Sequence, residues 1–149
     1  MAISTLGGGK QMTTHGENLG YGFNTQWAYS KGHMEKALPA DNRMLDFMAK
    51  YDFKFLRVPT DYRFWIDELD GPIHESFLEL LDSYIHESTS RGIHISLNLH
   101  RAPGYCINGW ELESTNLWSD ELPQRNFAKL HSFPTRRSSD LRSTFIIMN

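Results

Sequence analysis

The stretch Ile93-His94-Ile95-Ser96-Leu97-Asn98-Leu99-His100 alternates apolar and polar residues without a break. Successive side chains of a strand point to opposite faces. Ile93, Ile95, Leu97 and Leu99 therefore share one face, and His94, Ser96, Asn98 and His100 the other. Alone, the pattern also fits a half-exposed antiparallel strand. The flanking segments decide between the two. Upstream, Phe77, Leu80, Leu81, Tyr84 and Ile85 fall at i, i+3, i+4, i+7 and i+8 of a helix, and Gly92 stands where a left-handed C-terminal cap belongs. Before that helix, Asp70-Gly71-Pro72 reads as a turn. Phe53 to Pro59 reads as a short strand, expected to end at Pro59 because proline has no N–H for a ladder. Asp41 is the expected N-cap of a helix to about Lys50, with Met44, Leu45, Phe47 and Met48 as its apolar stripe. Asn18 to Asn24 makes a short strand weakened by its glycines. Downstream, Pro103-Gly104 ends the alternating strand, and a helix begins near Glu121 with Phe127 and Leu130 on one face. Strand-helix-strand-helix-strand order predicts parallel βαβ units, with the apolar face under helices and the polar face lining a barrel interior. The expected fold class is α/β: an incomplete (β/α)8 TIM barrel made of its first three βα units.

The bulk properties narrow the function. The 149 residues are 40% hydrophobic and 13% aromatic, enough for one domain with a packed core. A formal charge of −3 and a pI near 6.1 give none of the basic surface that nucleic-acid binding needs. Such a chain suits a neutral ligand such as a sugar. The single cysteine, Cys106, allows neither an internal disulfide nor a cysteine zinc site. Residues 1–16 read as a loose, polar lead-in with no apolar run, so no signal peptide is expected there, and no stretch reads as long enough to span a bilayer. The default location is cytoplasmic; native location and oligomeric state are not specified. Seven histidines raise a metal hypothesis. His94 and His100 share a strand face, but at ~3.3 Å per residue they stand about 20 Å apart. His74 and His86 lie near opposite ends of one helix, and no His-Glu-x-x-His motif occurs. No cofactor or metal is expected.

Regular patterning stops at His131. The string His131-Ser132-Phe133-Pro134-Thr135-Arg136-Arg137-Ser138-Ser139-Asp140-Leu141 has no helical period, and Pro134 interrupts the helix begun near Glu121. It resembles one reading frame of a widely used DNA-sequencing adapter. Residues 131–149 are therefore expected to be a non-native tail, leaving 17–130 as the partial barrel. Three strands cannot close a barrel, and the third would expose an unpaired edge. A poorly soluble or molten polypeptide is the expected result.

In a barrel of this type the active site lies at the C-terminal ends of the strands. That directs attention to Arg57, before Val58-Pro59, and to His100, before Arg101-Ala102-Pro103. Asn18-Leu19-Gly20, then Leu56-Arg57-Val58-Pro59, then Leu97-Asn98-Leu99-His100-Arg101-Ala102-Pro103-Gly104-Tyr105 resembles glycoside hydrolase family 5, the cellulase-like endoglucanases, in order and spacing. The resemblance covers roughly residues 17 to 130.

The resemblance implies retaining hydrolysis of a β-glycosidic bond, with a β-glucan such as cellulose or its oligosaccharides as substrate. Retention needs two carboxyl groups about 5–5.5 Å apart. In the family both are glutamates, at the ends of the fourth and seventh strands, the acid/base within an Asn-Glu pair. No Asn-Glu pair occurs in this sequence. Glu111 and Glu113 lie in the loop after the third strand and are not promoted. No catalytic residue is therefore assigned, and the chain as given is expected to be inert. Arg57 would hold the nucleophile ionised, and His100 would hydrogen-bond a sugar hydroxyl. Tyr105 and Trp110, with Trp65 or Trp27 as further candidates, would offer flat faces to pyranose rings. Packing is the expected role of Trp27, Trp65 and Trp118. Two other readings stay open: a non-catalytic carbohydrate-binding barrel, and another TIM-barrel enzyme such as a sugar isomerase or metal-dependent hydrolase.

Overall fold

The computed structural model describes residues 20–107, 112–137 and 143–146. Three parallel strands form the expected framework: β1 (Gly22–Asn24), β2 (Phe55–Asp61) and β3 (His94–Ala102) lie side by side in that order. The helices α1 (Asn42–Lys50) and α2 (Glu75–Thr89) make the crossovers. Asp41 caps α1 as its sequence suggests, its Oδ1 accepting from the backbone N–H groups of Arg43 and Met44 at 3.0 and 3.2 Å. Gly92 has φ +72°, the left-handed conformation that follows a helix end.

The apolar face of β3 carries the core. Ile93, Ile95, Leu97 and Leu99 are buried with Leu56 and Val58 of β2, Leu45 and Met48 of α1, and Phe77, Leu78, Leu81 and Tyr84 of α2. Burying each such aliphatic or aromatic side chain stabilises the fold by about 1.5–3 kcal/mol. Tyr84 is wholly buried, and its hydroxyl donates to the carbonyl of Leu38. Trp27 packs on Tyr84 with ring centroids 5.0 Å apart, and Trp65 on Phe77 at 5.3 Å.

The described elements depart from the sequence reading at four points. First, β2 does not end at Pro59 but runs to Asp61. The backbone explains why. Thr25 N–H donates to the Arg57 carbonyl and Asp61 N–H to that of Ala28. Odd-numbered backbone groups of β2 thus face the β1 side, and Pro59 falls between those two bonds, where no donor is called for. Second, β1 covers only Gly22–Asn24; Asn18 and Leu19 lie outside the described residues. Third, α3 (Glu121–Arg137) continues through Pro134 instead of breaking near His131. The proline forgoes one N–H···O=C bond to residue 130 while the backbone holds its helical path. Fourth, the far edge of β3 is paired. A short strand, β4 (Tyr105–Cys106), turns back antiparallel on Arg101 and Ala102, and β5 (Ser143–Ile146) runs parallel to Ile95–Asn98. The unpaired third-strand edge expected from the sequence is therefore absent over these residues. The result is half of a barrel sheet.

The first half of α3 is stitched to the turn before α2. Asn126 is fully buried. Its Oδ1 accepts from Asp70 N–H at 2.8 Å, and its Nδ2 donates to the Leu122 carbonyl at 2.8 Å and to Asp70 Oδ1 at 3.2 Å. Lys129 Nζ reaches the Gly71 carbonyl at 2.7 Å, and Arg125 pairs with Asp70.

Candidate functional site

Arg57, within β2 and not at its end, and His100, toward the end of β3, lie on the polar side of the sheet, close enough for the Arg57 charge to act on the ring. Arg57 is clamped by two amides: its Nη2 donates to Asn98 Oδ1 at 2.5 Å and its Nη1 to Asn24 Oδ1 at 3.3 Å. One residue from each of β1 and β3 thus fixes the guanidinium carried by β2. The polar alternation of β3 placed Asn98 here. Asn24 carried no sequence signal, because only pairing of β1 with β2 sets it opposite Arg57.

His100 stands at an irregularity. Along the β2–β3 ladder Thr60 pairs with Leu99 and Asp61 with Arg101, so His100 is an extra residue with no partner across the strand. Such bulges re-aim a side chain and recur beside active sites. The ring lies 4.9 Å from that of Tyr29. Burial, and then the charge of Arg57, hold its pKa below the ordinary 6.5, against a smaller opposite pull from Asp61. The ring is uncharged at neutral pH. Its Nε2 is buried with no hydrogen-bond partner among the described residues, as is Ser96 Oγ on the same strand. A buried polar atom without a partner costs about 1–3 kcal/mol, so these are positions where a ligand or further chain would bond.

Asp61 is the acid nearest this site, and it is already committed. It is fully buried and accepts from Lys31 N–H at 2.9 Å, Arg63 N–H at 3.0 Å and Arg63 Nη2 at 2.7 Å. Glu113 is likewise committed. Arg101 Nε donates to its Oε1 at 2.5 Å and the Tyr62 hydroxyl to its Oε2 at 2.9 Å. Burial and the Glu113 charge push the Tyr62 phenol above its usual pKa.

The aromatic candidates separate. Trp27 and Trp65 are buried in the core and face no ligand. Tyr105 is half-buried on β4, its ring 6.0 Å from that of Trp118 and nearly perpendicular to it. Trp118, expected to pack, is instead 68% exposed. Trp110 lies outside the described residues. Among the described residues no cluster of His, Cys, Asp and Glu is disposed to hold a metal ion, and no helix is long and apolar enough to cross a membrane.

The family model for cellulase, glycosyl hydrolase family 5, matches residues 15–134. The chain belongs to that family. A solved glycoside hydrolase is 39% identical, superposes with a TM-score of 0.78, and is matched over 85% of this chain and 40% of that one. The Pseudomonas stutzeri endoglucanase Cel5A, solved with cellobiose, is 12% identical with a TM-score of 0.67, over 84% of this chain and 38% of that one. Thermotoga maritima Cel5A, also solved with cellobiose, is 18% identical with a TM-score of 0.64, over 89% of this chain and 41% of that one. The two Cel5A likenesses bear on the fold alone. The chain of this family 5 member spans about 40% of the length of the solved structures it matches. Comparison with curated proteins returns no match.

Proposed function

We propose that this chain forms the first part of the barrel of a retaining glycoside hydrolase that cuts O-glycosidic bonds in a β-glucan such as cellulose. The observation that carries the reading is the Asn24–Arg57–Asn98 clamp beside an uncharged His100 whose buried Nε2 has no partner among the described residues. Arg57 is a fixed cation on β2, level with the end of β1; a carboxylate brought beside it is held ionised, as a nucleophile requires. His100 offers a neutral ring nitrogen to a sugar hydroxyl. Family membership and the endoglucanases solved with cellobiose support the substrate class.

The half-site holds and orients substrate without cleaving it. Its two nearby acids are tied in salt bridges, and the sequence has no Asn-Glu pair to serve as acid/base. Two experiments test this. Isothermal titration of the full chain with cellotetraose should give binding that Arg57→Ala and His100→Ala weaken; no binding by the wild-type chain overturns the substrate class. Reducing-end assays on cellulose should show no turnover, and turnover would overturn the reading of an inert half-site.

A further inference from the structure

We propose that the pocket beneath the β3–β4 hairpin is an outlying carbohydrate subsite, with Trp118 as its platform for a glucose unit of a β-glucan chain. The inference deepens the substrate reading above and rests on it.

The pocket measures about 440 Å³ and is walled by Gly104, Tyr105 and Trp118, with Ser114, Thr115 and Asn116 along it. That size falls within the range of small-molecule sites. An indole left 68% exposed is an apolar surface held in water. The backbone that carries it is fixed. Trp118 sits in a turn closed by Asn116 Oδ1 accepting from Trp118 N–H at 2.8 Å, Asp120 Oδ2 accepting from Asn116 N–H at 2.8 Å, and Asp120 N–H donating to the Asn116 carbonyl at 2.9 Å. A ring displayed on a fixed turn gives up little further freedom when a ligand covers it.

A backbone hydrogen bond fastens the turn to the hairpin. Leu117 N–H donates to the Gly104 carbonyl at 3.0 Å. Gly104 has φ +74°, and a Cβ there would meet the Leu117 nitrogen at 2.6 Å. The glycine of the Pro103-Gly104 turn therefore does more than reverse the chain: its bare Cα lets the Trp118 turn seat beside Tyr105. The two rings then meet edge to face at 6.0 Å and 76°, forming a floor and a wall.

The chemistry selects the ligand. Both acids bordering the pocket are occupied, Glu113 by Arg101 and Tyr62, and Asp120 by Asn116 N–H and the Ser119 hydroxyl. Hydroxyl and amide groups of Ser114, Thr115 and Asn116 accompany the aromatic faces. A neutral molecule with a flat apolar face and a rim of hydroxyls matches this lining, and the β-linked glucose unit has that form.

The experiment is calorimetric titration of cellotetraose into the full chain, its Trp118→Ala and Trp118→Phe variants, and His100→Ala. Trp118→Ala is expected to weaken binding about tenfold, and Trp118→Phe, which keeps a flat face, to retain most of the affinity. Saturation should change the tryptophan emission of the wild-type chain more than that of Trp118→Phe. Wild-type affinity in Trp118→Ala alongside loss in His100→Ala would overturn this subsite and leave the substrate class standing. A wild-type chain that binds no cellotetraose would overturn both.

Discussion

Arg101 Nε lies 2.5 Å from Glu113 Oε1, and each side chain is only 8% exposed. This pair, with the Tyr62 hydroxyl on the second carboxylate oxygen, ties the segment after β4 to the end of β2. Two charges taken this far from water depend on each other. Removing one takes the opposite charge away from the other at a buried position, at a cost of about 3–5 kcal/mol, whereas replacing both by apolar groups costs far less. Glu113→Ala should lower unfolding stability in urea by that amount, and the double change Arg101→Met, Glu113→Leu should recover most of the loss. Equal loss in single and double variants would show that the pair does not act as a unit.

His100 predicts a pH dependence. Its folded-state pKa lies below the unfolded value of 6.5. As pH falls below that value, the unfolded chain takes up a proton that the folded chain refuses, so stability declines. The loss should begin near pH 6.5 and flatten once pH passes the folded pKa. His100→Gln should reduce the slope in this window. The exposed Asp70 and Asp120, whose pKa values are lowered from 3.8, act only in a more acid range. Chemical denaturation at stepped pH values measures the difference between the two chains.

Gly104 and Gly92 form a matched pair, with φ of +74° and +72°. Alanine at either should cost about 1–2 kcal/mol in backbone strain. Only at Gly104 does a Cβ also strike backbone, whereas at Gly92 nothing lies within 4 Å. Gly104→Ala should therefore destabilise the fold by more than Gly92→Ala, and only Gly104→Ala should alter the near-ultraviolet circular dichroism signal from Tyr105 and Trp118. Equal thermal shifts and unchanged spectra would count against the close approach.

Asn126 should behave as a structural tie. Asn126→Ala removes three hydrogen bonds at a buried position. A net loss of about 1–3 kcal/mol is expected, with faster amide exchange at Asp70. An exchange rate unchanged at Asp70 would remove α3 from the support of that turn.

The sequence disclosed what periodicity and turn chemistry encode. The alternation of Ile93 to His100, the stripe of α2 and the Asp41 cap each survive intact in the fold. That Arg57 and His100 share a side of the sheet follows from strand alternation, which states residue type and direction together. What escaped depends on pairing between distant segments. Asn24 joins the clamp only through the β1–β2 register, Tyr29 meets His100 only across a loop, and Pro59 is tolerated only because of what β1 does opposite it. Trp118 misled for a related reason. Burial of a tryptophan is a sound expectation from composition, and the turn that lifts it into solvent rests on hydrogen bonds that no local pattern announces.

The extra residue in β3 changes the parity of the strand. Up to Leu99, even-numbered side chains share the inner face with Arg57; beyond it, odd-numbered Arg101 falls opposite Asp61, which lies in phase with Arg57 on β2. Two consecutive residues, an imidazole and a guanidinium, are thereby given to one side of the sheet, a density that strict alternation forbids. The imidazole keeps a buried Nε2 with no partner among the described residues, and the guanidinium anchors the loop that follows. Spacing within His100-Arg101-Ala102-Pro103 is thus counted in single residues: deleting Arg101 would restore strict alternation, keep the imidazole on its side of the sheet and take from the following loop its anchor.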